Sequence, residues 1–182
     1  MAGRIYLARP VMPRGHTAPM PDAPGRAPVL GDQVRAFVAE TRRAVLATTS
    51  PEGRPRLVPV CFVLAPGHDA YGRVVVYTPI DEKPKASSDP RALARVRDLL
   101  VRPEATLVVD RWDEDWSRLA WVRLYGNGDL LEPREVEEHA AAVRALRAKY
   151  PQYADHALDE RPIIRVVVDR VVTWGAAEAD GA

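Results

Sequence analysis

A chain of 182 residues with 47% hydrophobic content can bury one sizeable core and is too short for two ordinary domains to be the default. Its 26 basic and 25 acidic residues leave a net charge of +1, so no global field draws it to nucleic acid or to an anionic membrane. One cysteine, Cys61, excludes an internal disulfide framework, no Cys/His spacing fits a zinc site, and no apolar run approaches the roughly 20 residues of a membrane span or forms a signal-peptide core; a cytoplasmic protein is predicted.

Residues 1–28 carry Pro10, Pro13, Pro19, Pro21, Pro24 and Pro28 with no periodic apolar face, which predicts a disordered leader ahead of one folded domain over 29–176 and a flexible tail over 177–182. Asp32 is placed to cap a helix whose apolar stripe reads Val34, Phe37, Val38 and Val45, ending near Arg42, with Arg43 offsetting the helix dipole. From Ala44 the run Ala-Val-Leu-Ala-Thr-Thr-Ser reads as a strand stopped by the turn Pro51-Glu52-Gly53. The strand that returns over 54–65 contains Pro55 and Pro59, which cannot donate ladder hydrogen bonds and so mark an edge, a bulge or a ligand-facing stretch.

A second hairpin, framed by Pro66-Gly67 and Gly72, leads to a strand over 73–78 that is nearly all apolar and predicted to be covered on both faces. A polar loop follows. A short helix then starts near Pro90 with Leu93, Val96, Leu99 and Leu100 on one side, placed to cover a barrel opening. Strands over 105–112 and 119–131 flank an acidic, Trp-containing loop. Beyond Pro133 the helix over 134–150 sets Val136, Ala140, Val143, Leu146 and Tyr150 inward and His139 on its surface. A last strand covers 163–174. Six strands with early hairpins and three helices predict a mainly β, mostly antiparallel barrel with flanking helices. A Rossmann reading fails because no Gly-x-Gly-x-x-Gly follows a strand.

Three segments carry a family likeness that runs from Gly31 to Gly175: the hairpin Arg43-Ala-Val-Leu-Ala-Thr-Thr-Ser-Pro-Glu-Gly-Arg-Pro-Arg-Leu-Val-Pro-Val-Cys-Phe, the step Tyr77-Thr-Pro-Ile-Asp-Glu-Lys-Pro-Lys, and the strand Leu119-Ala-Trp-Val-Arg-Leu-Tyr-Gly-Asn-Gly. Together they resemble the pyridoxamine 5'-phosphate oxidase-like split barrels, the FMN-binding split-barrel fold, and especially their F-420-dependent, deazaflavin branch. The resemblance implies a six-stranded split barrel that forms a homodimer, with each cofactor in a groove between subunits. It implies an oxidoreductase that uses coenzyme F-420 to reduce a small electron-poor organic molecule. FMN is the alternative cofactor, and non-catalytic storage of a deazaflavin, flavin or haem is a further alternative.

The phosphate of such a cofactor needs several donors and positive charge in one place. Lys83, Lys85, Ser87 and Ser88 supply these just ahead of a helix N-terminus, and Pro84 keeps Lys83 extended. Tyr77 and Thr78 belong to the same strand-to-loop step. Thr48, Thr49 and Ser50, at the end of the first strand, offer hydroxyls and amides to the polar edge of a planar ring. Arg123 is a candidate for an anionic cofactor tail and Trp174 for stacking on a ring from the neighbouring subunit, whereas Trp112, Trp116 and Trp121 are expected in core and dimer packing. Cys61 and Phe62 are expected in the core. No nucleophile–base pair has catalytic spacing, so no catalytic residue is assigned; hydride chemistry belonging to a cofactor requires none.

Overall fold

The computed structural model describes residues 30–80 and 89–177. Helix α1 (Asp32–Glu40) leads into the hairpin β1 (Ala44–Thr49) and β2 (Pro55–Val60), and β3 (Val63–His68) with β4 (Val74–Pro79) forms the next. A 3-10 turn at Pro90–Ala92 and helix α2 (Ala94–Val101) precede the hairpin β5 (Glu104–Arg111) and β6 (Ala120–Leu131). Helix α3 (Val136–Lys149) is followed by β7 (Ile163–Gly175). Every neighbouring pair is antiparallel, in the order β2-β1-β5-β6-β7-β4-β3.

That order closes the sheet. β2 and β3 are its two edges, yet only Cys61 and Phe62 separate them in the chain. Three peptide units reach about 11 Å at most, whereas six flat inter-strand gaps would hold the edges about 29 Å apart. The sheet therefore curls until its edges meet, as a split barrel. Pro55 and Pro59 lie on an edge strand, where their missing N–H groups break no ladder on the open side.

The strand count is seven where the sequence pattern predicts six, because the 54–65 run breaks at Cys61–Phe62. The cause lies far away in the chain. Phe62 donates its N–H to the Tyr150 hydroxyl at 3.0 Å, and that hydroxyl stands 2.8 Å from the Phe62 carbonyl and 2.9 Å from the Arg42 carbonyl, its one proton serving either. A side chain at the end of α3 thus satisfies backbone groups that leave the ladder.

Two apolar layers result. The barrel interior holds Leu46, Val74, Val76, Leu107, Val109, Val122, Leu124 and Val166, with Val38 from α1 and Val96 and Leu99 from α2. A second layer lies outside, where α3 sets Ala142, Val143 and Leu146 against Val63, Val75, Tyr77 and Ile163. β4 is consequently buried on both faces along its length.

Several local expectations change. Gly31 occupies the N-cap of α1, so Asp32 is the first helical residue and meets the dipole without capping it. The helix ends at Glu40, leaving Val45 in β1 and Arg43 in the connection, 3.8 Å from Asp110. On α3, Val136 is exposed and His139 is buried, with Nε2 2.7 Å from the Arg161 carbonyl. Leu100 points outward from α2. Gly126, at a register shift of β6 against β7, is required by close approach: a Cβ there would lie 2.1 Å from the Val167 carbonyl oxygen.

Two measurements test the seam. Tyr150→Phe leaves the Phe62 N–H without its acceptor and should cost about 1–3 kcal/mol by denaturant titration. Lys149 stands 4.1 Å from the centre of the Phe62 ring, and burial followed by the Arg42 charge lowers its ammonium to about 8 from the ordinary 10.5. Between these values the unfolded chain holds the extra proton, so stability should rise with pH from about 8 to 10.5; Lys149→Met should flatten that rise.

Candidate functional site

Alternation along the strands decides which side chains face outward. On β1, Leu46 and Thr48 turn inward while Val45, Ala47 and Thr49 turn out. The register carries the outward set across the sheet: Pro59, Val45, Val108, Arg123 and Val172 form one row, and Leu57, Ala47, Thr106, Tyr125 and Arg170 the next. Neither α3 nor the barrel interior covers this face, and Leu57 is 68% exposed upon it.

Five of its side chains form a ladder. Trp174 stacks on Trp121 with ring centres 6.4 Å apart and 11° between planes. The Arg123 guanidinium lies 4.3 Å from the Trp121 ring centre and donates to the Tyr125 hydroxyl at 3.0 Å, and Arg170 lies 3.8 Å from the Tyr125 ring centre. Trp174 remains 49% exposed. Such a surface offers an indole face and two guanidiniums, neither paired with a carboxylate among the described residues, to a planar and anionic molecule.

The residues singled out from sequence separate into three groups. Arg123 and Trp174 come together on the ladder, and Thr49 shares its face toward the other end of β1. Thr48, Ser50, Tyr77 and Thr78 do not join them. The Thr48 hydroxyl, inside the barrel, donates to Asp98 at 2.9 Å, and the same carboxylate oxygen takes Arg56 Nε at 3.0 Å. Ser50 closes its own turn, donating to Glu52 at 2.7 Å and accepting the Arg54 N–H at 3.2 Å. Tyr77 lies beneath α3 and donates to Glu138 at 2.8 Å; burial and that carboxylate push its hydroxyl well above the ordinary range. Arg165 holds the other Glu138 oxygen at 2.7 Å and grips Asp129 in a fork. Thr78 is buried in β4. Lys83, Lys85, Ser87 and Ser88 lie outside the described residues.

Sequence reading missed Tyr125 and Arg170. Trp121, Arg123 and Tyr125 alternate at a spacing of two and could have been read as one face of a strand. Arg170 joins them only through the β6–β7 register. Among the described residues no group of three or more His, Cys, Asp or Glu stands together as a metal set, and no helix is long and apolar enough to cross a membrane.

Residues 30–175 match the family model described as pyridoxamine 5'-phosphate oxidase. No curated protein sequence matches the chain. Among solved structures it is similar to the conserved hypothetical protein Rv2991 of Mycobacterium tuberculosis, at TM-score 0.59 and 18% identity over 85% of this chain and 91% of that one. It is similar to the heme storage protein HutZ of Vibrio cholerae, at 0.56 and 14% over 79% and 92%. An F-420 reductase is similar at 0.54 and 15% over 80% and 98%. At these identities the likeness is one of fold.

The Thr48–Asp98–Arg56 junction ties α2 to the first hairpin across a buried carboxylate. Asp98→Ala should cost about 2 kcal/mol, less than a fully buried pair because the Arg56 side chain is 47% exposed. A double-mutant cycle with Arg56→Ala, read by chemical denaturation, should return a coupling of about 1 kcal/mol.

Proposed function

The chain belongs to the pyridoxamine 5'-phosphate oxidase family, and from that premise we propose that it is an oxidoreductase which uses coenzyme F-420 to reduce a small electron-poor organic molecule, working as a homodimer. The observation that carries this reading is the ladder of Trp174, Trp121, Arg123, Tyr125 and Arg170 on a sheet face that no described element covers. A deazaflavin is planar and its tail anionic, matching indole and guanidinium chemistry respectively.

In this reading Trp174 and Trp121 orient the ring by stacking, and Arg123 holds negative charge beside it. Lys83, Lys85, Ser87 and Ser88 serve the phosphate, and Thr49 offers its hydroxyl to the ring edge. The bound coenzyme supplies the hydride. The protein orients the reactants and excludes water.

Two further features support the dimer and the choice of cofactor. Leu57, Trp174 and the half-buried Val45, Val108 and Val172 leave an apolar strip in water that a second copy would cover. The likeness to a heme storage protein raises a binding role, but a haem iron commonly takes an axial side chain such as histidine. Among the described residues His68 is held by Arg35 at 3.1 Å, His139 by the Arg161 carbonyl, and His156 stands edge-on to Tyr153; none of these three is on the ladder.

Titration with coenzyme F-420 should quench tryptophan fluorescence and raise the melting temperature, and light scattering should give the mass of two chains. Trp174→Ala should weaken binding about fivefold, near 1 kcal/mol. A retained chromophore with the mass of FMN would assign FMN instead. No response to F-420 where a related control responds would end the deazaflavin reading.

A further inference from the structure

The loop between β5 and β6 presents two indoles to water. Trp112 is 73% and Trp116 75% exposed, more than any other tryptophan here. Sequence reading expects core or dimer packing from them, and among the described residues of this chain nothing covers them.

The loop is also stiff. Asp115 accepts from the Ser117 N–H at 3.0 Å and from its hydroxyl at 2.7 Å, and Asp113 accepts the Asp115 N–H at 3.0 Å. Arg118 lies 3.3 Å from Asp113, and Arg111 ties the loop's base by donating to the Arg118 carbonyl at 2.9 Å. The backbone that carries the two indoles is thus ordered before any contact, so docking the loop loses less ordering entropy, which is the economy of a preorganised contact.

Charge and position narrow what they contact. The tip reads Trp112-Asp-Glu-Asp-Trp116, and Glu114 has no ion pair among the described residues. Its complement stands on this same chain: Arg170, 3.8 Å from the Tyr125 ring centre at the far end of the ladder, likewise lacks a carboxylate among the described residues. With a net charge of only +1, such a match is local. Trp112 also continues the outward alternation of Thr106, Val108 and Asp110, so the tip extends the uncovered face at its Trp121 end. Arg170 lies four residues further along, about 13 Å away. A two-fold axis between two such faces and perpendicular to the strands exchanges their ends.

We propose that the β5–β6 tip of each subunit docks on the Arg123–Tyr125–Arg170 end of the partner's ladder, so that Trp112 and Trp116 form an aromatic wall of the partner's groove. The inference rests on the homodimer reading and adds which element crosses and what it contributes: an indole wall selects planar, apolar substrates.

The test uses the full chain. Glu114→Arg and Arg170→Glu should each weaken dimerisation about tenfold by sedimentation, and the double reversal should restore most of the loss; both sites are exposed, so melting temperatures at high protein concentration should stay near wild type. Acrylamide should quench wild-type tryptophan fluorescence less in the dimer than after dilution to monomer, and Trp112→Phe with Trp116→Phe should reduce that difference to the share that Trp174 contributes. A dimer indifferent to both single reversals would overturn the crossing tip while leaving the homodimer standing. A chain monomeric at every concentration would sink both.

Discussion

The architecture depends on how the chain passes from β2 to β3. Those strands sit at opposite edges of the sheet with two residues between them, and the edges can meet only if the chain abandons both ladders at Phe62. A backbone amide turned into a protein interior without a partner costs as much as a lost hydrogen bond. The Tyr150 hydroxyl supplies that partner from the end of α3, binding the outer helix to the barrel seam and the Arg42 carbonyl to the same point. Closure and helix docking are therefore one event.

Closure also assigns each strand face a task. Inward residues of β1, β5 and β6 fill the barrel, and outward residues of β3, β4 and the start of β7 are covered by α3. What remains is the outer face of β2, β1, β5, β6 and the end of β7, where alternation brings Trp121, Arg123 and Tyr125 into line and the register adds Arg170 and Trp174. The bulge at Gly126 lies at the boundary, where β7 passes from the helix-covered region to the open one. An uncovered face rich in aromatic and guanidinium groups is the surface on which a planar anionic cofactor and a second subunit would compete for area or share it. Sharing is the arrangement in which neither tryptophan nor arginine stays idle.

Buried polar residues illustrate the same division. Thr48 and Ser50 carry hydroxyls suited to a ligand, yet alternation turns both inside, where Asp98 and the Ser50 turn consume them. Tyr77 is drawn into an ion-pair cluster with Glu138, Arg165 and Asp129 beneath α3. Their burial needs those partners, because an unbonded hydroxyl or a lone charge in the interior is costly.

The amino-acid sequence by itself determined the strand and helix types, the doubly covered strand at Val74–Pro79 and the family, and narrowed the proline-bearing strand to an edge, a bulge or a ligand-facing stretch, because period-two alternation, proline's missing donor and continuous apolar runs are local signals. Only the tertiary structure decided that the 54–65 run breaks in two, since the group that stabilises the break sits 88 residues away. It likewise decided which of the suggested binding residues share a surface: a one-residue change of register sends a side chain to the opposite face, and pairing between distant strands, which no local pattern encodes, sets that register.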